Sequence, residues 1–196
     1  MPRAGAVHLN QIVALDIGGV CISIHPERVV QGFGLIRTFF HAKETLDLCN
    51  RLETGKITTA EWLTLLQKMT NNKFSPVELL TIWNRMLGDS LPGMADAVRR
   101  AVGRGWRFIY FSNTSEAHMD HFLKTNDFCH LVTGAVFSYE SGRMKPDAKI
   151  YADFEAQYGK PAFYFDDRQE NIDAGLKRGW NAVRFHAPDQ LDELLK

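Results

Sequence analysis

The chain has 196 residues, and its 23 Lys and Arg match its 23 Asp and Glu, so the formal net charge is zero. That length suits one full hydrophobic core, or one core carrying a small insertion, and the even charge excludes the global basic field that nucleic acid or an acidic membrane surface would select. No apolar run approaches the ~18 residues of a spanning helix, the N-terminal stretch lacks the apolar segment of a secretory signal, and three scattered cysteines with no C-x-x-C pair fit reduced thiols better than a disulfide framework; a cytoplasmic location is expected.

Ile12, Val13, Ala14 and Leu15 form an unbroken apolar run, as expected of a strand buried on both faces of a parallel sheet. The run ends at Asp16, and Gly18 and Gly19 follow, which lets the backbone turn tightly and approach a ligand closely. Open α/β sheets place their chemistry at the carboxyl ends of such strands, although D-x-G-G also reads as an ordinary strand exit. Cys21 reads as a small buried residue rather than a nucleophile.

From about His25 to Leu87 the spacing is helical, with Val29, Val30, Phe33 and Ile36 on one stripe and Trp62, Leu65, Leu66 and Met69 on another. Thr59 marks a helix opening after the Glu53-Thr54-Gly55-Lys56 loop. Ser75-Pro76-Val77-Glu78 carries an N-cap, a first-turn proline and a capping glutamate. Trp62, Trp83 and Met86 read as packing residues. His25 and Arg28 read as solvated residues opening a helix, placed where they could also face a substrate. A helical insertion at the carboxyl end of a strand occupies a lid's position.

Leu91-Pro92-Gly93 reopens the α/β pattern, with a helix over Met94 to Gly103 and a second buried strand over Trp106 to Phe111. That strand ends at Ser112-Asn113-Thr114, just before a helix that starts near Ser115. Hydroxyl and amide side chains beside free helix N–H groups make an anion site, though the same residues are ordinary N-caps. His118 and His121, spaced i, i+3, read as residues of an exposed helix face rather than metal ligands. Ala135 to Ser138 is a third strand. Pro146 fits the first turn of the next helix and pushes Lys145 into an extended conformation that can point back to the strand ends. Ala162 to Phe165 is a fourth strand, closing on Asp166 and Asp167. Adjacent carboxylates repel unless a cation sits beside them, and hard divalent ions prefer oxygen ligands. Asn171, Ala174 and Gly175 lie on the helix that follows, Asn181 to Phe185 is a fifth strand, and Arg143 and Arg168 read as surface charges. The alternation predicts an α/β fold with a doubly wound parallel sheet.

Asp16, Ser112, Lys145 and the Asp166-Asp167 pair, in this order and all at one sheet edge, resemble the four motifs of the haloacid dehalogenase (HAD) superfamily, most of whose members are Mg²⁺-dependent phosphatases. The resemblance spans nearly all of the chain. It implies a nucleophile at Asp16, phosphate binding by Ser112 and Asn113, and charge neutralisation by Lys145. It implies an Mg²⁺ site made by Asp16, the Gly18 carbonyl, Asp166 and Asp167. It also implies a Rossmann-like HAD core over 1–22 and 88–196, with a small α-helical cap over 23–87. The D-x-G-x-V start, SNT, RMKPDAKIY and FYFDDRQENIDAG look most like the glucose-1-phosphate phosphatase branch. The implied function is hydrolysis of a small phosphorylated metabolite, such as a sugar phosphate, through an aspartyl-phosphate on Asp16, by a monomer or homodimer with no nucleic-acid or membrane partner.

One position departs from that pattern. Most phosphatases of the superfamily carry a second aspartate two residues after the nucleophile, and this chain has Gly18. A positioned acid/base is worth about 10²- to 10⁴-fold, so its loss slows the reaction without abolishing it, least for an acidic leaving group such as the hemiacetal oxygen of a sugar 1-phosphate. Water, His25 or a residue of the cap could take its place. Gly18 also supports an alternative, a phosphate-binding protein without turnover. A metal-independent dehalogenase is the other alternative, and the Asp166-Asp167 pair counts against it.

Overall fold

The computed structural model describes residues 11–34 and 43–196. Ile36 and the N-terminal residues read for a signal fall outside them. In chain order the strands are β1 (Ile12–Leu15), β2 (Ile22–Ile24), β3 (Leu87–Ser90), β4 (Arg107–Ser112), β5 (Val132–Phe137), β6 (Phe163–Asp166) and β7 (Ala182–Arg184). Five of them form a parallel sheet in the order β5-β4-β1-β6-β7, with β1 at its centre.

The helices are α1 (Pro26–Phe33), α2 (Lys43–Glu53), α3 (Thr59–Met69), α4 (Pro76–Asn84), α5 (Met94–Gly103), α6 (Glu116–Thr125), α7 (Ser138–Ser141), α8 (Ala148–Tyr158), α9 (Gln169–Lys177) and α10 (Asp189–Leu194). All four residues of β1 are buried because both faces of the sheet are covered. Val13 and Leu15 pack toward α5, α6 and α10, through residues such as Val98, Met119 and Leu191. Ile12 and Ala14 pack toward α8 and α9, through Ile150, Phe154 and Ile172. This is the doubly wound arrangement expected from the sequence. On the second face Phe111, Tyr151, Tyr164 and Trp180 meet at centroid distances of 5.0 to 6.0 Å, and burying each such ring contributes ~1.5–3 kcal/mol.

Register determines where the strands deliver their last residues. Leu15 pairs with Tyr110 on one side and with Phe165 on the other, and the Asp16 N–H donates to the Phe165 carbonyl at 3.0 Å. Asp16, Ser112 and Asp166 therefore leave the sheet at the same edge.

Helices α1 to α4 share a second core of Val29, Phe33, Leu48, Leu52, Trp62, Leu66, Leu79, Ile82 and Trp83. Capping boxes open α3 (Thr58 with Glu61) and α4 (Ser75 with Glu78); each cap is worth ~1 kcal/mol. The block joins the sheet through an antiparallel pair, β2 with β3, which the sequence pattern does not announce. Helix α3 opens at Thr59, as the sequence predicts, with Thr58 as its cap. One local expectation is corrected. Asp147 caps α8, so Pro146 lies before the helix rather than in its first turn, and the Lys145–Pro146 peptide is cis. Among the described residues, no helix is long and apolar enough to cross a membrane.

Candidate active site

A cavity of about 420 Å³ opens at the carboxyl edge of the sheet, between the strand ends and the helical block. Asp16, Gly18, Ser112 and Lys145 line it from the sheet side, and Glu53 and Met86 from the block side. The tight turn after β1 shapes its floor. The N–H groups of Cys21 and Ile22 both donate to the Ile17 carbonyl, at 2.7 and 3.1 Å. Gly19 sits at φ +72°, where a Cβ would come within 2.5 Å of Asp167 Oδ2. Glycine here supplies both the left-handed turn and the room for a carboxylate. Cys21 is buried and its thiol donates to the Asp16 carbonyl at 3.2 Å; burial pushes the thiol's pKa far up, consistent with a packing residue.

Lys145 is the hub. Its buried Nζ lies 2.6 Å from the Phe111 carbonyl, 2.6 Å from Asp166 Oδ2 and 3.1 Å from Asp16 Oδ1, above the Phe111 and Tyr164 rings at 5.1 and 5.7 Å. Burial alone would lower its pKa, but the Asp16 and Asp166 charges outweigh burial and hold the ammonium above its ordinary value. Asn113 sets the lysine's backbone: its Nδ2 donates to the Lys145 carbonyl at 2.9 Å and its Oδ1 accepts the Lys145 N–H at 2.7 Å. Both ends of that amide are thus in use. Asn113 lines the cavity, where the resemblance places a phosphate contact, and it also clamps Lys145.

Asp166 is fully buried and saturated with donors. Oδ2 accepts from Lys145 and from Tyr164 Oη at 2.6 Å, Oδ1 from the Arg168 N–H at 2.9 Å, and Asn171 Nδ2 reaches both at 3.0 and 3.1 Å. Burial pushes its pKa up, yet the Lys145 charge and these hydrogen bonds carry it below the ordinary value. Asp16 goes the other way: burial, opposed by Lys145 and reinforced by the Asp166 charge, pushes it up to about 7. Asp167 is half-buried, and burial together with Asp166 raises it as well.

Asp16, Asp166 and Asp167 each bring a carboxylate oxygen to within 4.8 Å of the others. Three carboxylates facing the one Lys145 ammonium leave two negative charges when all are ionised, and two of the three acids resist ionising as the chain stands. An all-oxygen donor set with that imbalance fits a hard divalent cation.

Ser112 is buried at the strand end as expected. Thr114 is locked by a reciprocal pair with Ser138, its N–H donating to Ser138 Oγ at 2.9 Å and its carbonyl accepting at 3.0 Å. His118 is corrected: it is buried, not exposed, because α4 packs on α6. Its ring stacks on Trp83 at 4.7 Å with Nε2 3.4 Å from the Trp83 carbonyl, and burial pushes its pKa down to about 4. His25 is engaged by Ser23 and Glu27, at 2.9 and 3.1 Å, and neither His25 nor Arg28 lines the cavity. Arg143 is exposed, as is Arg168, which reaches the cavity rim. Tyr164, Asn171, His118 and Glu53 were not singled out by sequence as site residues. Tyr164 was accessible from period alone, since residues i and i+2 of a strand share a face.

No family model matches the chain, and no curated protein matches its sequence. Among solved structures, a HAD family enzyme from Bacteroides thetaiotaomicron matches with a TM-score of 0.85 at 22% identity, over 94% of this chain and 97% of that one. The same enzyme in complex with magnesium and inorganic phosphate matches with a TM-score of 0.77 at 23% identity, over 90% and 94%. A predicted HAD-like family hydrolase from Porphyromonas gingivalis matches at 0.76 and 20% identity, over 90% and 91%. Likeness at these identities establishes the fold: a HAD-type α/β core, as the resemblance in the sequence implied.

Proposed function

We propose that this chain is a Mg²⁺-dependent phosphatase of the HAD superfamily, acting on a small phosphorylated metabolite through an aspartyl-phosphate on Asp16. The observation that carries this is the convergence of Asp16, Asp166 and Asp167 around Lys145 in a cavity sized for a small molecule, on a fold shared with an enzyme solved with magnesium and phosphate.

Asp16 Oδ1 accepts from the Ile17 N–H at 2.8 Å and from Lys145, so Oδ2 is the attacking atom. A bond forms from Oδ2 to phosphorus as the ester P–O bond breaks and the alcohol leaves. Water then attacks the phosphorus of the acyl-phosphate, freeing phosphate and the Asp16 carboxylate. Lys145 neutralises charge on the phosphoryl oxygens, and Ser112 with the start of α6 holds them in line. For phosphoryl transfer, positioning and electrostatics supply most of the catalysis. Asp16, the Gly18 carbonyl, Asp166 and Asp167 would hold Mg²⁺, and Asp166 also aims Lys145. When bound, the ion supplies the positive charge that brings the raised Asp16 and Asp167 to their ionised forms and offsets the phosphoryl charge.

Residues 23–87 act as the cap over a core formed by 1–22 and 88–196, limiting water and selecting the substrate. A sugar 1-phosphate suits a site with Gly18, since its leaving group needs protonation least. The test is a panel of phosphorylated metabolites with Mg²⁺, with chelator, and with Mg²⁺ restored. The expected result is phosphate release that stops with chelator and returns with the ion. Phosphate release indifferent to chelator would overturn the Mg²⁺ dependence, halide release from a 2-haloacid without phosphate release would favour the dehalogenase, and binding without release would favour the phosphate-binding protein.

A further inference from the structure

Departure of an alcohol from phosphorus requires a proton, and attack of water on an acyl-phosphate requires that one be taken away. Beside Asp16 the position that could carry such a group is Gly18, which has no side chain. The titratable groups lining the cavity are Asp16, Glu53, His118, Lys145, Asp167 and Arg168. Asp16 is the nucleophile and Asp167 belongs to the carboxylate cluster. Lys145 is clamped between two carboxylates and a carbonyl. His118 stays neutral in its stack on Trp83, and a guanidinium such as Arg168 does not release its proton. Glu53 is left.

Glu53 is the last residue of α2. Burial, with the Arg168 charge pulling the other way, pushes it up to about 7, and among the described residues no hydrogen bond acts on its carboxyl. The backbone beyond it is seated on the core. Gly55 has φ +63°, and a Cβ there would lie 2.1 Å from the Tyr139 carbonyl oxygen, so glycine lets this loop press against α7. Thr54 Oγ1 donates to the Asn50 carbonyl at 2.6 Å and closes the helix end. The end of α2 is thus pinned against α7 beside the cavity that Glu53 lines.

We propose that Glu53 is the general acid and base of the reaction, contributed by the helical block in place of a side chain at position 18. Its carboxylic acid gives a proton to the leaving oxygen as the P–O bond breaks. Its carboxylate then takes a proton from the water that attacks the aspartyl-phosphate, which restores the acid. This role rests on the phosphatase function proposed above.

The experiment compares kcat/KM of the parent and Glu53→Gln, with Mg²⁺, on β-glycerol phosphate and on p-nitrophenyl phosphate, whose leaving group departs without a proton. The expected loss is about 10²- to 10⁴-fold on glycerol phosphate and under about tenfold on p-nitrophenyl phosphate. Glu53→Gln acid-quenched during turnover of p-nitrophenyl phosphate should also show a phosphoryl adduct on Asp16 by peptide mass, because with this substrate only the second step needs the lost base. Glu53→Asp keeps a carboxyl and should fall between the two on glycerol phosphate, which keeps the test open if the Gln variant does not fold. Equal losses on the two substrates, or none, with no adduct, overturn the role of Glu53 and leave the phosphatase function standing. A parent that releases phosphate from neither substrate overturns both.

Discussion

The two walls of the cavity are built differently. On the sheet wall, polar groups are tied almost atom for atom: Lys145 to three acceptors, Asp166 to Lys145, Tyr164, Asn171 and the Arg168 N–H, and Asn113 to the Lys145 backbone. Asn171 Oδ1 is the exception, buried with no partner. In the helical block, among the described residues, the Glu53 carboxyl has no hydrogen bond and the indole N–H groups of Trp62 and Trp83, in the core behind the cavity, are buried without partners. Each unpaired buried donor costs ~1–3 kcal/mol, whereas removing one partner from a saturated buried ion network costs ~3–5 kcal/mol. The tied groups gather at and just after the strand ends, while Glu53, the group proposed above to change protonation, stands on the opposite wall with no such ties among the described residues.

Three substitutions probe this contrast, taken from the largest expected effect to the smallest. Asp16→Asn should remove phosphate release, by about 10⁴-fold or more, while the melting temperature without Mg²⁺ stays level or rises, because one under-compensated carboxylate has gone. Parallel turnover and thermal-unfolding measurements check it; undiminished turnover would exclude the covalent route. Gly19→Ala places a Cβ at φ +72° against Asp167. Strain of ~1–2 kcal/mol should be joined by about a tenfold rise in the Mg²⁺ concentration for half-maximal activity, read from a metal titration. An unchanged titration would mean that Asp167 is not a ligand.

The block wall should respond mainly to pH. The folded chain holds the Glu53 carboxyl near 7 against an ordinary 4.5, so in that window the folded state keeps a proton that the unfolded chain releases. The stability that the protonated carboxyl supports is present below about pH 4.5 and declines as pH rises toward 7. Glu53→Gln cannot titrate, and relative to it the parent should lose about 1–2 kcal/mol across the window after allowance for the partial exposure of the group. Melting temperatures of both proteins at pH 4.5 and 7.5 measure the difference. Parallel pH profiles would place Glu53 in ordinary solvent.

The sheet wall was readable in the sequence and the block wall was not, for physical reasons. Ile12 to Leu15 and the Phe108 to Phe111 part of the Trp106 to Phe111 run declare themselves because strands covered on both faces are apolar along their buried length, and a polar residue ending such a run stands out. Asp16, Ser112 and Asp166 were found that way. The Ser75–Glu78 box was visible because a cap is a local feature, whereas the Thr58–Glu61 box was read only as a helix opening at Thr59. The pairing of Ile22-Ser23-Ile24 with Leu87-Gly88-Asp89-Ser90 left no trace, since two short, half-buried segments far apart in the chain carry no alternation to detect. His118 was placed on an exposed face because only the packing of α4 on α6 buries it. Glu53 passed as a loop residue because nothing in its neighbours tells of the Tyr139 carbonyl against which Gly55 rests.

The β2–β3 pair gives the molecule a seam. Ile22 lies opposite Ser90 and Ile24 opposite Leu87, so the chain departs for the helical block and comes home across one strand spacing of ~4.8 Å. In topological terms everything between is the tip of a hairpin whose stem is already closed, and lengthening such a tip is inexpensive, about 0.6 kcal/mol for each doubling. The block is therefore an exchangeable cassette. The strand-end carboxylates stay in place whatever the length of this cassette, whereas Glu53, the proton donor proposed above, travels with it.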